Sequence, residues 1–61
     1  MENVVNFAAS IIAKMFLAGA KQEHIENALG AMHDGMVKNG LDANQYSLSA
    51  FIADVKSKIT A

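Results

Sequence analysis

The first third of the chain constrains the fold most, because it is a nearly uncharged segment in a very small protein. Residues 3–20 read NVVNFAASIIAKMFLAGA and carry one formal charge, on Lys14. A domain of about 60 residues buries only about 60% of the surface that its unfolded chain exposes. This chain has 61 residues, 52% of them hydrophobic, and no cysteine for a disulfide or a thiolate metal site. Oligomerisation is therefore the expected way to cover the excess apolar surface.

The apolar residues of this segment form two adjacent seams on a helix that turns about 100° per residue. The polar residues share one narrow arc: Asn3, Asn6, Ser10 and Lys14. The first seam is Val4, Ala8, Ile11 and Met15, and the second is Val5, Ala9, Ile12 and Phe16. A surface helix of a globular protein normally has a single apolar stripe. Two seams predict that one packs on the rest of the chain and that the other needs a partner.

We assign the second seam to a homodimer interface, in which the first helix packs against its symmetry mate. The predicted interface residues are therefore Val5, Ala9, Ile12 and Phe16. The alternative is a small bundle that wraps this helix on both sides and covers both seams within one chain.

Apolar periodicity predicts a second helix over residues 21–39, after a first helix over residues 3–18. Gly19 and Gly40 are each followed by an apolar residue, which is typical of a helix C-terminus. The second apolar stripe is Ile25, Leu29, Met32 and Met36. Gly35 leaves open an earlier end of this helix, since glycine weakens a helix interior by about 1 kcal/mol relative to alanine.

The third predicted helix covers residues 43–60, and the pattern leaves its start open. Asp42 and Gln45 fit a variant capping box, whereas Ser47 is the rival N-cap. Its apolar stripe is Leu48, Phe51, Ile52, Val55 and Ile59. If the helix is continuous from Asp42, Tyr46 points away from this stripe and is a candidate partner contact, because tyrosine is enriched at interfaces. A Tyr46 that packs within the loop is the alternative.

No catalytic or metal-binding motif is present in the sequence. His24 and His33 are nine positions apart, so one helix places them on opposite sides and they cannot share a metal within one chain. The sequence has neither a nucleophile elbow nor a glycine-rich phosphate loop. We therefore expect a protein that is not an enzyme and that needs no cofactor.

Charge does not favour nucleic acid as a partner. Five lysines and six acidic residues give a net charge of −1, and arginine is absent. Residues 25–31 resemble the opening of a helix-turn-helix, with Gly35 and Met36 beginning a recognition helix, but few of its side chains can donate to base edges. Asn6, Ser10 and Lys14 interrupt the apolar run that a membrane span requires, and the region before it carries Glu2 and no cation, unlike a signal peptide.

These patterns together predict one all-α domain over residues 1–61, with three helices and a homodimeric assembly. By size and composition it is comparable to small cytoplasmic helical adaptors or inhibitors of bacteria and their viruses. The leading functional hypothesis is binding to another, unidentified protein to inhibit or regulate it. A dimeric DNA-binding regulator and a membrane-active helical protein are the alternatives.

Overall fold

Three helices build the protein in the computed structural model, which describes residues 2–60. They are α1 (Glu2–Leu17), α2 (Gln22–Lys38) and α3 (Leu48–Thr60). The described part contains no strand, so the all-α prediction is confirmed. The predicted first and second helices agree with α1 and α2 to within a residue at each end, whereas α3 begins five residues later than the predicted residue 43.

Both predicted glycine stops end their helices. Gly19 has φ 79° and Gly40 has φ 109°, a region that other residues rarely adopt. After α1, the Ala20 N–H donates to Met15 O and the Gly19 N–H to Phe16 O, both at 3.0 Å. This pair of bonds is a Schellman motif, which satisfies carbonyls at the helix end.

The same motif recurs after α2. The Leu41 N–H donates to Met36 O and the Gly40 N–H to Val37 O, again at 3.0 Å. Two short connections of known geometry therefore set the direction in which the chain leaves each of the first two helices.

The α2 helix is continuous through Gly30 and Gly35, so the break that Gly35 left open does not occur. A helix-turn-helix in this register needs a turn before Met36, and the structure has none there. The resemblance of residues 25–31 to such a motif is therefore not matched by the backbone.

The α2–α3 connection resolves the two possible starts of the third helix. Asp42 organises a turn, because its Oδ1 accepts from the Asn44 N–H at 2.9 Å and its carbonyl accepts from the Tyr46 N–H at 3.0 Å. Ser47 is the N-cap, since its Oγ accepts from the Ala50 N–H at 3.2 Å. The prediction of a third helix capped by Asp42 is therefore wrong, and the alternative with Ser47 as the N-cap is confirmed.

A single core lies between the three helices. Its buried apolar members are Val5, Ala8, Ala9, Ile12, Ile25, Leu29, Phe51 and Val55. The α1 helix packs against both α2 and α3, so residues of both of its seams are buried: Ala8 from the first, and Val5, Ala9 and Ile12 from the second. The three-helix bundle thus covers part of each seam within one chain, while Val4 of the first seam and Phe16 of the second stay exposed.

Candidate interaction surfaces

The structure divides the four predicted dimer-interface residues. Val5, Ala9 and Ile12 are buried in the core of their own chain, whereas Phe16 is 66% exposed. A second copy that binds the folded chain therefore reaches Phe16 but not the other three. The physical reason is that α1 packs against both α2 and α3, so the core of the chain itself occupies most of this seam.

The exposed large apolar side chains are concentrated on α1. They are Val4, Phe7, Phe16 and Leu17 on that helix and Leu48 at the start of α3. Phe7 is 68% exposed and lies nine residues before Phe16. That spacing places the two rings on opposite sides of the helix, about 13 Å apart along its axis.

Phe7 is a candidate contact residue that the division of α1 into two seams did not identify. It belongs to neither seam and lies at the edge of the apolar arc, next to the position of Lys14 on the helix wheel. The signal in the sequence is an aromatic residue that lies outside both seams of the helix. The other two helices of a small bundle pack on the seams, so an aromatic residue outside them is expected to stay exposed.

Phe7 borders a shallow groove between α1 and α2, which we call the α1–α2 groove. Its lining residues are Val4, Phe7, Ala8, Met32, Gly35, Met36 and Asn39. None of them is charged. The one polar side chain, Asn39, donates from Nδ2 to Gly35 O at 2.8 Å. The groove therefore offers an apolar surface whose polar margin is already hydrogen-bonded within the chain.

Phe16 borders a second groove, between the ends of α1 and α3 and the start of α2, which we call the α1–α3 groove. Its lining residues are Ile12, Phe16, Ile25, Lys56, Ile59 and Thr60. The depression continues past Ala20 and Gln22 to Glu26. This groove thus differs from the first in having one cation and one carboxylate at its margins.

Tyr46, the predicted partner contact, serves the fold itself. Its hydroxyl donates to Asp54 Oδ2 at 2.5 Å, and its ring packs edge-on against Phe51. Its carbonyl accepts from Nε2 of the buried His33 at 2.8 Å. The residue is half-buried, and its polar groups are engaged between α2 and α3, so the arrangement matches the loop-packing alternative.

The surroundings of Tyr46 also suppress its ionisation. Burial, then the hydrogen bond to Asp54 and the charge of that carboxylate, raise the pKa of Tyr46 from 10.0 to about 12. Each of these effects favours the neutral phenol over the phenolate. The hydroxyl is therefore a hydrogen-bond donor at neutral pH and no candidate for a general base.

Two properties of residues 2–60 bear on a metal site and on a membrane span. No three of the described His, Asp and Glu side chains lie close enough together to hold a metal ion. No described helix has both the length and the apolar character needed to cross a bilayer.

Comparison with known protein families, with curated proteins and with solved structures gives no match to this chain.

Proposed function

We propose that this chain is a protein-interaction module that works as a homodimer and binds a further protein to regulate it, with α1 at both contacts. The observation that carries the proposal is the pair of aromatic side chains on α1. Phe7 and Phe16 are each two-thirds exposed on opposite sides of one helix, and each borders an apolar groove.

Exposed aromatic residues beside grooves are typical of protein-binding surfaces. Leaving a large apolar side chain in water forgoes about 1.5–3 kcal/mol of burial free energy. Aromatic residues that fill a partner's pocket, or receive a partner's side chain, supply much of the binding energy at protein interfaces. A protein partner of matching apolar shape therefore suits these grooves best.

The charge distribution supports a protein partner over nucleic acid. Lys38 lies 3.1 Å from the Asp34 carboxylate and Lys58 lies 3.7 Å from that of Glu2. Two of the five lysines are thus partly neutralised within the chain, and nucleic-acid binding needs cations clustered on one face.

Two grooves on opposite sides of α1 allow two simultaneous contacts. In the proposal, the α1–α2 groove holds the second copy and the α1–α3 groove holds the regulated protein. Occupying an apolar surface of that protein would block whatever normally binds there, which is the simplest route from binding to inhibition.

Sedimentation equilibrium tests the self-association, and capture from native lysate tests the second contact. We expect the wild-type chain to sediment with twice the mass of one chain. We expect immobilised wild-type chain to retain a protein that Phe16→Ser does not. Leu17→Ser is the matched control, because Leu17 is 90% exposed and lines neither groove.

Two results would overturn the proposal. A wild-type chain that stays monomeric up to its solubility limit removes the homodimer. Capture that is the same for wild type, Phe16→Ser and Leu17→Ser removes the α1–α3 groove as the binding surface.

A further inference from the structure

We infer that the two copies of this chain pack through a reciprocal contact in the α1–α2 groove, with Phe7 of each copy lying against Gly35 of the other. This inference rests on the proposed homodimer and specifies its geometry. It is carried by the position of a helical glycine, by the exposure of the ring beside it and by the absence of charge from the residues that line the groove.

Packing within its own chain does not require a glycine at position 35. It lies in the last turn of α2 with an ordinary helical backbone, where glycine is less favourable than alanine. A Cβ atom added at Gly35 would meet no atom within 4 Å. The missing side chain therefore leaves an open place in the groove that nothing within residues 2–60 fills.

Phe7 is a side chain of suitable shape for that place. Its ring is 68% exposed and borders the same groove. Phenylalanine offers about 200 Å² of surface, so each Phe7 leaves about 130 Å² for a partner. An aromatic ring against a glycine Cα is a close contact that any side chain at position 35 would obstruct.

The groove suits a second copy because it carries both halves of the contact and no charge. In a two-fold symmetric dimer, residues near the axis face their own copies, so a charged lining residue there would meet a like charge. The α1–α3 groove has Lys56 in its lining and fits a copy less well for this reason. The lining of the α1–α2 groove is uncharged, and its Asn39 amide is already hydrogen-bonded to Gly35 O.

A small specific dimer would need only a modest share of the surface that this chain exposes. Such an interface buries about 1,000 Å² in total, or about 500 Å² per chain. That is about one eighth of the 4248 Å² that this chain exposes. Phe7 alone supplies about a quarter of the area needed from each chain, and the flanking residues of α1 and α2 surround it.

The test is a pair of glycine substitutions that both stabilise the helix but have different effects on the dimer. Gly35→Ala and Gly30→Ala should both raise the urea midpoint of the dissociated chain, because alanine stabilises a helix and neither Cβ meets a neighbour. Gly35→Ala should raise the dimer dissociation constant about tenfold, since the methyl group would overpack the contact. Gly30 lies about 140° away around α2 and should leave the constant unchanged.

Mixing two weakened variants tests whether the contact is reciprocal. Phe7→Ser keeps the open place but lacks the ring, and Gly35→Ala keeps the ring but lacks the open place. Each homodimer then has two impaired contacts, whereas the mixed dimer regains one native contact. We expect the equimolar mixture to associate more tightly than either variant alone, as measured by sedimentation equilibrium.

The outcomes separate this inference from the function on which it rests. A monomeric wild-type chain overturns both the homodimer and the contact. A dimeric wild-type chain whose dissociation constant is unaffected by Gly35→Ala, or whose weakened variants show no gain on mixing, overturns the contact alone.

Discussion

Two phenylalanines show how differently this small protein treats its inner and outer surfaces. Phe51 is fully buried and is flanked by His33 and Tyr46, whose polar groups are hydrogen-bonded. Phe7 is as apolar but is two-thirds exposed beside an unfilled groove. The comparison separates the α2–α3 side of the core, where burial is complete, from the outer surface of α1. Stability should reside in the first region and binding in the second.

The largest expected effect comes from emptying the core. Phe51→Ala should destabilise the fold by about 3–5 kcal/mol, because it removes a fully buried ring and leaves a cavity. A domain of this size has little more stability than that, so we expect loss of the helical circular dichroism signal at 25 °C. A cooperative melt near that of wild type would show that the α3 side of the core is not where stability resides.

The next effect tests the division of the second seam of α1. Ile12→Ala should lower the free energy of unfolding by about 2–4 kcal/mol, because Ile12 is buried within its own chain. Phe16→Ala is the matched change on the same seam and should cost about 0.5 kcal/mol or less. Urea denaturation at a protein concentration low enough to dissociate any dimer measures both losses. Equal losses would mean that Phe16 is buried within its own chain as fully as Ile12, which would contradict the division of this seam.

A smaller effect is expected from the ionisation of Tyr46. Its pKa is raised to about 12 in the folded chain against 10.0 for the unfolded residue. The folded state therefore binds more protons than the unfolded state between these values, so stability is fully present below pH 10 and falls as pH rises towards 12. Because solvent reaches the pair, we expect a loss of about 1 kcal/mol.

The single tyrosine makes this pH dependence assignable. Tyr46→Phe should lack the loss between pH 10 and 12, so the difference between the two proteins isolates the contribution of the Tyr46 hydroxyl. Parallel stability curves for the two proteins over this range would contradict the raised pKa of Tyr46, which burial and then the hydrogen bond to Asp54 explain.

The smallest effect on the fold is expected at the outer surface. Phe7→Ser should change the unfolding free energy of the dissociated chain by no more than about 0.5 kcal/mol, since the ring is mostly in water already. Chemical denaturation at high dilution measures it. A loss comparable to that of Ile12→Ala would assign Phe7 to the core and end the contrast with Phe51.

Much of the fold was predictable from short stretches of sequence. The stripe of Ile25 and Leu29 identified the core side of α2, and Gly19 and Gly40 marked two helix ends that the structure confirms. Ser47 was recognisable as an N-cap, although the rival cap at Asp42 had equal local support. These features depend on residues within a few positions of one another, which is why a linear pattern contains them.

The candidate surfaces were less predictable. The wheel of α1 showed an excess of apolar residues but assigned Val5, Ala9 and Ile12 to a partner, whereas the core of their own chain buries them. The wheel did not single out Phe7 as an exposed residue. The pattern of the third predicted helix left open whether Tyr46 faces outward. A helical pattern gives the angle of each side chain around the axis of its helix, but it does not give the direction from which other helices approach.

The sequence by itself determined that this protein is helical, where its helices lie to within five residues, and that its first helix has more apolar surface than one stripe. Only the tertiary structure decided which of those residues are covered and which stay exposed. The physical reason is that periodicity is a local property of the backbone. Burial depends on packing between helices that are far apart in the sequence. Here α1 packs against both α2 and α3, while Phe7 and Phe16 of α1 stay exposed to solvent.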